Sequence, residues 1–429
     1  MSKMFKQRLF REKFSRFVEN GLTFKIVVLS LLTLTLSIPA FGYVLEHTSS
    51  GAVLRWDLTR NDDRVQDGKV RYYLNQDCSS DFADVNQCLD ILRNSFAHWS
   101  DIPTSLIDFS EAGTTSASQT GYDDINLIVF VSGDPELSGG VLALTTTFFN
   151  PLTGEIIDSD IRFNDGDYDF AGDTSLEAVA THEIGHFFGL DHSFLAYLGP
   201  AFDETISATM FPYYFGTEAI SLEWDDKAGA SELYPEALFF SNYGILSGKV
   251  TEGTETVENI LGAHISLLNL ASGAPVVAGV TGKDGTYQIY GCPQGTYVVL
   301  AEPPSLNPAV HWGPYYASAP TDYNPILYDG HEFSDFAETL PGSDTFDSAE
   351  GVSITAQAET SGINFVVNAV EPPPPPPPPP PPSSSSSRSD SWWSCSAGGA
   401  VSSFDFSVFL LFAPYLCRQL LKARRRKLV

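Results

Sequence analysis

The stretch Thr181-His-Glu-Ile-Gly-His-Phe-Phe-Gly-Leu-Asp-His-Ser193 constrains this chain more than any other. Its histidines stand at 182, 186 and 192, with Glu183 beside the first and Gly189 three residues past the second. On a helix, residues four apart project from one face, so His182 and His186 present both imidazoles to one point. That spacing lets two neutral histidines hold one zinc ion. Glu183 is too close to the first ligand to coordinate with ease, but it is well placed to take a proton from a water on the metal. Gly189 can adopt the left-handed conformation that ends a helix, and the turn returns His192 as a third ligand. Three protein ligands leave a fourth position open, which separates a catalytic zinc site from a closed structural one. H-E-x-x-H alone is a weak signal. A core helix with satisfied histidines has no need of Glu183, Gly189 and His192 at these offsets, and together they make it strong.

The longer motif resembles that of the metzincin zinc proteases. Their second mark is a tight turn with a methionine beneath the metal. Ala208-Thr-Met-Phe-Pro-Tyr-Tyr214 is similar to it and puts Met210 in that place. Within the metzincins the chain resembles the matrixins. Ser193 follows the third histidine, Met210-Phe-Pro-Tyr-Tyr214 is similar to Met-Tyr-Pro-x-Tyr, and Leu222-Glu-Trp-Asp-Asp-Lys-Ala-Gly229 is similar to the last matrixin helix. The resemblance implies a zinc endopeptidase with His182, His186 and His192 on the metal and Glu183 as general base. It implies that Pro212 and Tyr214 line the wall of an S1′ pocket that takes an apolar side chain. It also implies that the backbone of Leu142 and Ala143, on an edge strand, bonds the substrate as an added strand.

The departures from the family are informative. Leu144 and Arg162 stand where matrixins commonly place histidines for a second, structural zinc. Neither side chain can ligate zinc, so that site is expected to be absent. Nearby, Asn164, Asp165, Asp167 and Asp169 offer hard oxygen ligands that suit calcium, with an exposed acidic turn as the other reading. No Pro-Arg-Cys-Gly-type cysteine switch is present. Either the enzyme is made active, or something other than an N-terminal cysteine, such as the later all-β domain or its insertion, restrains it.

Around the motif, residues 43–240 read as one α+β unit. Strands are expected at 70–74, 125–131, 141–149 and 156–163, and a helix at 84–99. A capping box of Thr174 and Glu177 is expected to open the motif helix. From 243 to 370, short strands alternate with Gly and Asp turns, an all-β pattern. Gly248-Lys-Val, Ala263-His-Ile-Ser-Leu, Asp284-Gly-Thr-Tyr and Gly295-Thr-Tyr-Val-Val resemble the carboxypeptidase regulatory-like domains. That resemblance implies a transthyretin-like β-sandwich with an insertion at about 304–350. The expected fold class is therefore α+β: a metzincin catalytic domain, with a twisted mixed sheet and an active-site helix, followed by an all-β sandwich.

The two ends have their own logic. Ile26–Ala40 is apolar but short, and Ala40-Phe-Gly42 supplies small residues, so 1–42 reads as a secretory signal peptide. Pro372–Pro382 is an unbroken proline run, expected to form a stiff polyproline II rod within a Pro/Ser-rich linker over 371–391. Residues 392–429 carry Trp392-Trp393, an apolar segment near 397–416 and Arg424-Arg-Arg-Lys427, which suits a membrane segment with a cytoplasmic C-terminus. The layout resembles the C-terminal sorting tags of Gram-negative surface proteins. Cys78 and Cys88 are the candidate disulfide of an exported chain. Between 43 and 387 there are 10 basic side chains against 49 acidic ones, a balance that would repel nucleic acid. The sequence thus reads as an exported, extracellular or surface-anchored zinc endopeptidase acting on proteins. A surface adhesin and a peptidase of cell-wall peptides are the competing readings.

Overall fold

The computed structural model of the chain describes residues 42–193, 196–198, 205–214, 216–252, 258–304, 307–323, 325–328, 334–335, 349–367 and 406–408. Residues 1–41 of the expected signal peptide, the proline run and, apart from 406–408, the C-terminal apolar segment lie outside these residues. Among the described residues no helix is long and apolar enough to cross a membrane.

The first unit is α+β. Its strands and helices run β1 (Lys69–Asn75), α1 (Val85–Ser100), β2 (Phe109–Thr115), β3 (Leu127–Val131), β4 (Ala143–Phe149), β5 (Ile156–Asn164), α2 (Leu176–Phe187) and α3 (Trp224–Leu233). In β1 the pleat alternates, sending Val70, Tyr72 and Leu74 into the core. Helix α1 starts where expected because Asp84 caps it, accepting the amide of Asn86. Strand β2 escapes the sequence pattern: its Phe-Ser-Glu-Ala-Gly-Thr-Thr run is half-buried and largely polar. It is a strand because β1 pairs with it in parallel.

The sheet runs β2–β1–β3–β5–β4, parallel except for β4, which is antiparallel to β5. Beyond β4, Phe406–Val408 pairs antiparallel with Leu144–Thr146. Helices α1 and α2 pack together through aromatic side chains. Trp99 meets Phe188 edge-on at 4.8 Å, and its indole donates to the Thr181 carbonyl at 2.8 Å. Phe96 stacks on Tyr72 of β1 at 3.8 Å. These contacts fix the back of α2, so its histidine face is aimed by the core.

The second unit is built on two sheets. In one, Gly244–Glu252 pairs antiparallel with Thr286–Cys292 and parallel with Phe365–Val367. In the other, His264–Asn269 lies between Pro275–Val280 and Gly295–Glu302, which also pairs with Val352–Ile354. Leu246, Val250, Ile289 and Phe365 of the first sheet share one core with Ile265, Val277 and Val299 of the second. This unit rests on α3: the Trp224 indole donates to Gly291 O at 2.8 Å.

Cys78 and Cys88 are bonded to each other across 10 residues, joining the loop after β1 to α1. Closing a loop of that size is worth about 2–3 kcal/mol. The Cys78→Ala/Cys88→Ala variant is expected to lower the thermal unfolding midpoint of the oxidised protein by roughly 4–12 °C. An unchanged midpoint would show that the link carries no stability.

Candidate metal centre

Helix α2 opens at Ser175, whose hydroxyl accepts the Ala178 amide at 3.3 Å. The expected capping box of Thr174 and Glu177 does not form. Glu177 bonds His98 of α1 at 2.8 Å instead, and the Ser175 amide donates to the Tyr214 hydroxyl at 2.7 Å. Tertiary partners have moved the cap by one residue.

The helix carries His182 and His186, and Gly189 then turns the chain at φ +113°. A side chain at Gly189 would overlap the Leu54 carbonyl, so the turn needs glycine on two counts. His192 returns as expected for a third ligand. The Nε2 atoms of His182 and His186 lie 3.1 Å apart, and those of His186 and His192 lie 3.3 Å apart. Each Nδ1 faces a backbone carbonyl: Thr209 O at 2.6 Å, Leu190 O at 2.7 Å and His311 O at 2.7 Å, respectively. A carbonyl only accepts, so each Nδ1 carries the ring hydrogen and each Nε2 keeps its lone pair.

Lone pairs facing each other at this range repel unless a cation lies among them. Zn–N bonds of ~2.0–2.1 Å in tetrahedral geometry place ligand nitrogens about 3.3–3.4 Å apart. The three histidines therefore fit a zinc ion, and among the described residues they are the one such cluster of potential ligands. Burial pushes all three imidazoles below their ordinary range, His186 to about 4, so each is neutral and ready to ligate.

Glu183 is 1% exposed. Thr145 of β4 donates its hydroxyl to Oε2 at 2.6 Å, whereas Oε1 has no hydrogen-bond partner among the described residues. Burial pushes the carboxyl up to about 8. Met210 is buried beneath Gly185, where any side chain would overlap the Met210 sulfur. Asp226 of α3 accepts the amides of Thr209, Met210 and Glu223 at 2.8, 3.1 and 2.9 Å. Asp225 holds the Ser193 hydroxyl at 2.9 Å. The paired aspartates thus hold the methionine turn and the residue after the third histidine. Thr145, Gly185 and Thr209 support the candidate site through Glu183, Met210 and His182, and the sequence reading did not single them out. Gly185 alone left a trace, as a glycine inside the H-E-x-x-H helix.

Leu142 immediately precedes β4, and Ala143 is its first residue. The Leu142 carbonyl accepts the Asn164 amide at 2.9 Å, and Ala143 lies opposite Phe163. Pro212 is buried and Tyr214 half-buried, the latter at the mouth of α2. Leu144 and Arg162 are cross-strand neighbours. Arg162 pairs with Asp134 at 2.5 Å and Glu136 at 2.6 Å, which ties down the turn Pro135–Leu137. In the candidate calcium set, Asn164 directs its amide N–H groups at the Leu137 and Val141 carbonyls and at Asp167, at 2.8, 3.0 and 3.2 Å. Asp165 accepts from Ser80, and Asp169 from the Ala171 amide.

Comparison with known proteins agrees with this geometry. Residues 64–235 match the family Peptidase_M10, described as matrixin. The chain is 33% identical over 151 residues to Metalloendoproteinase 2-MMP of Arabidopsis thaliana, covering 34% of this chain and 36% of that protein. It is 29% identical over 199 residues to karilysin of Tannerella forsythia, covering 45% and 37%. With the hatching enzyme of Paracentrotus lividus it shares 33% over 163 residues, covering 35% and 24%. The chain thus spans about a third of the length of the curated relatives it matches first. Within that span the extended histidine motif, the methionine turn and the mixed sheet coincide, and residues 64–235 carry a matrixin-like metzincin domain.

Proposed function

We propose that the protein is a zinc-dependent endopeptidase that cuts extended segments of extracellular proteins. The observation that carries this reading is the convergence of three neutral Nε2 atoms beside a buried carboxylate with one unpartnered oxygen. A bound zinc ion would lower the pKa of a water in its open position and polarise the scissile carbonyl. Glu183 Oε1 takes the proton of the attacking water and delivers it to the leaving amine. Thr145 holds Oε2, which leaves Oε1 to move the proton.

The backbone of Leu142 and Ala143 binds the substrate as an added strand, and Pro212 and Tyr214 wall the S1′ pocket. The antiparallel pairing of Phe406–Val408 on the adjoining residues of β4 supports the capacity of that edge to take an added strand. The bonded Cys78–Cys88 pair supports action outside a reducing compartment. The metalloendoproteinases among its relatives support the reaction class.

The test is digestion of a mixed peptide library by the purified full chain. Cleavage is expected with zinc, is expected to be lost with a chelator, and is expected to return when zinc is added back. Glu183→Ala is expected to lower kcat/KM by roughly 10²–10⁴-fold with zinc content unchanged. A zinc-loaded, folded protein that cuts nothing would overturn the reading. Gly185→Ala forces a methyl group against Met210, an overpacking cost of about 1–3 kcal/mol. It is expected to lower both the unfolding midpoint and zinc retention, measured by calorimetry and metal analysis.

A further inference from the structure

The three ligands are not steadied in the same way. His182 and His186 donate to carbonyls within the matrixin-like domain, those of Thr209 and Leu190. His192 donates to His311 O, 119 residues further along the chain and beyond the matched residues 64–235. The Trp312 indole donates back to His192 O at 3.0 Å. The Gly313 amide donates to Asp191 Oδ2 at 3.0 Å, while Asp191 Oδ1 takes the His192 amide at 2.8 Å. Residues 311–313 therefore grip the third histidine by its ring, its own carbonyl and its neighbour's carboxylate.

This grip is itself anchored. Asn307 caps the short helix Pro308–His311, and Trp312 packs on Tyr316 at 5.2 Å. Trp312, Tyr316 and Ala319 form a buried cluster with Val44 and Ala208, the latter beside the methionine turn. Tyr315 stacks on His47 at 5.0 Å. Further along, Ile326–Leu327 joins the sheet of the second unit by pairing with Gly295–Glu302.

We propose that residues 311–313 are a positioning element of the metal centre: His311 O sets the orientation of the His192 ring, and the Trp312 bond to His192 O holds that carbonyl in place. The proposal rests on the zinc reading of the site. Its physical basis is that the hydrogen bond on the far nitrogen of a histidine ligand fixes its tautomer and ring orientation. It gives the segment inserted in the second unit a supporting role at the metal, distinct from restraint.

The test uses the intact chain. Trp312→Phe keeps a ring and removes the N–H, and Trp312→Ala removes both. Trp224→Phe deletes the other indole bond between the units, to Gly291, without touching residues 191–192. The readouts are the rate of zinc release to a chelator and the visible absorption of the cobalt-substituted protein. Trp312→Phe is expected to release zinc ~10–100-fold faster and to alter the cobalt bands. Trp312→Ala is expected to do so more strongly, and Trp224→Phe to behave as the parent. Release at the parent rate in both Trp312 variants would overturn the proposal, as would equal acceleration in Trp224→Phe. A parent that binds zinc but cuts no peptide would sink the protease reading alone, because zinc release still decides this one.

Discussion

Three imidazole lone pairs turned toward one point repel each other, and the rest of the structure is organised to hold them there. Each ring donates from Nδ1–H to a backbone carbonyl. Those carbonyls come from three separated places: the methionine turn, the turn after α2, and the second unit. The site is therefore preorganised by tertiary structure at every ligand, and a cation would relieve a repulsion already built in.

The helix that presents two of the histidines is aimed from behind. Trp99 bonds its backbone and packs on Phe188, while Met210 fills the space that the absence of a side chain at Gly185 provides. The methionine turn is tied in turn to Asp226 by two of its own amides. Hydrogen bonds to a charged group contribute about 1.5–3 kcal/mol each, yet burial still pushes this carboxyl up to about 6. Desolvation thus outweighs three amide donors. The aspartate is a costly way to shape a turn, and what it contributes is a fixed backbone path for the Thr209 carbonyl that receives His182.

The cross-strand positions Leu144 and Arg162 show a different solution to a local problem. Where the resemblance would place histidines around a second zinc, a guanidinium meets two carboxylates on the Pro135–Leu137 turn. Charge pairing can tie a loop to a strand, but it is weakened by salt and by exposure, and Glu136 is half exposed. The adjoining Asn164 bonds to Leu137 O and Val141 O add a tie that salt does not screen.

Much of this protein was legible in local pattern. The offsets of His182, Glu183, His186, Gly189 and His192 marked the three histidines that the fold brings together, and the glycine turn that brings His192 back is present at φ +113°. Strands with alternating apolar residues and the Asp84-capped helix were readable because their periods are written in a few consecutive side chains. The half-buried strand Phe109–Thr115 was not, since its pairing with β1 makes it a strand and its own residues do not. The helix cap at Ser175 was displaced by Glu177 finding His98 across the fold. The grip on His192 was invisible for a deeper reason. Every residue offers a backbone carbonyl, so no residue type marks His311 O as the one that receives a ligand 119 positions away. The sequence by itself determined which side chains could meet a metal; only the tertiary structure decided which backbone atoms hold them, because that choice depends on distance in space and leaves no signature along the chain.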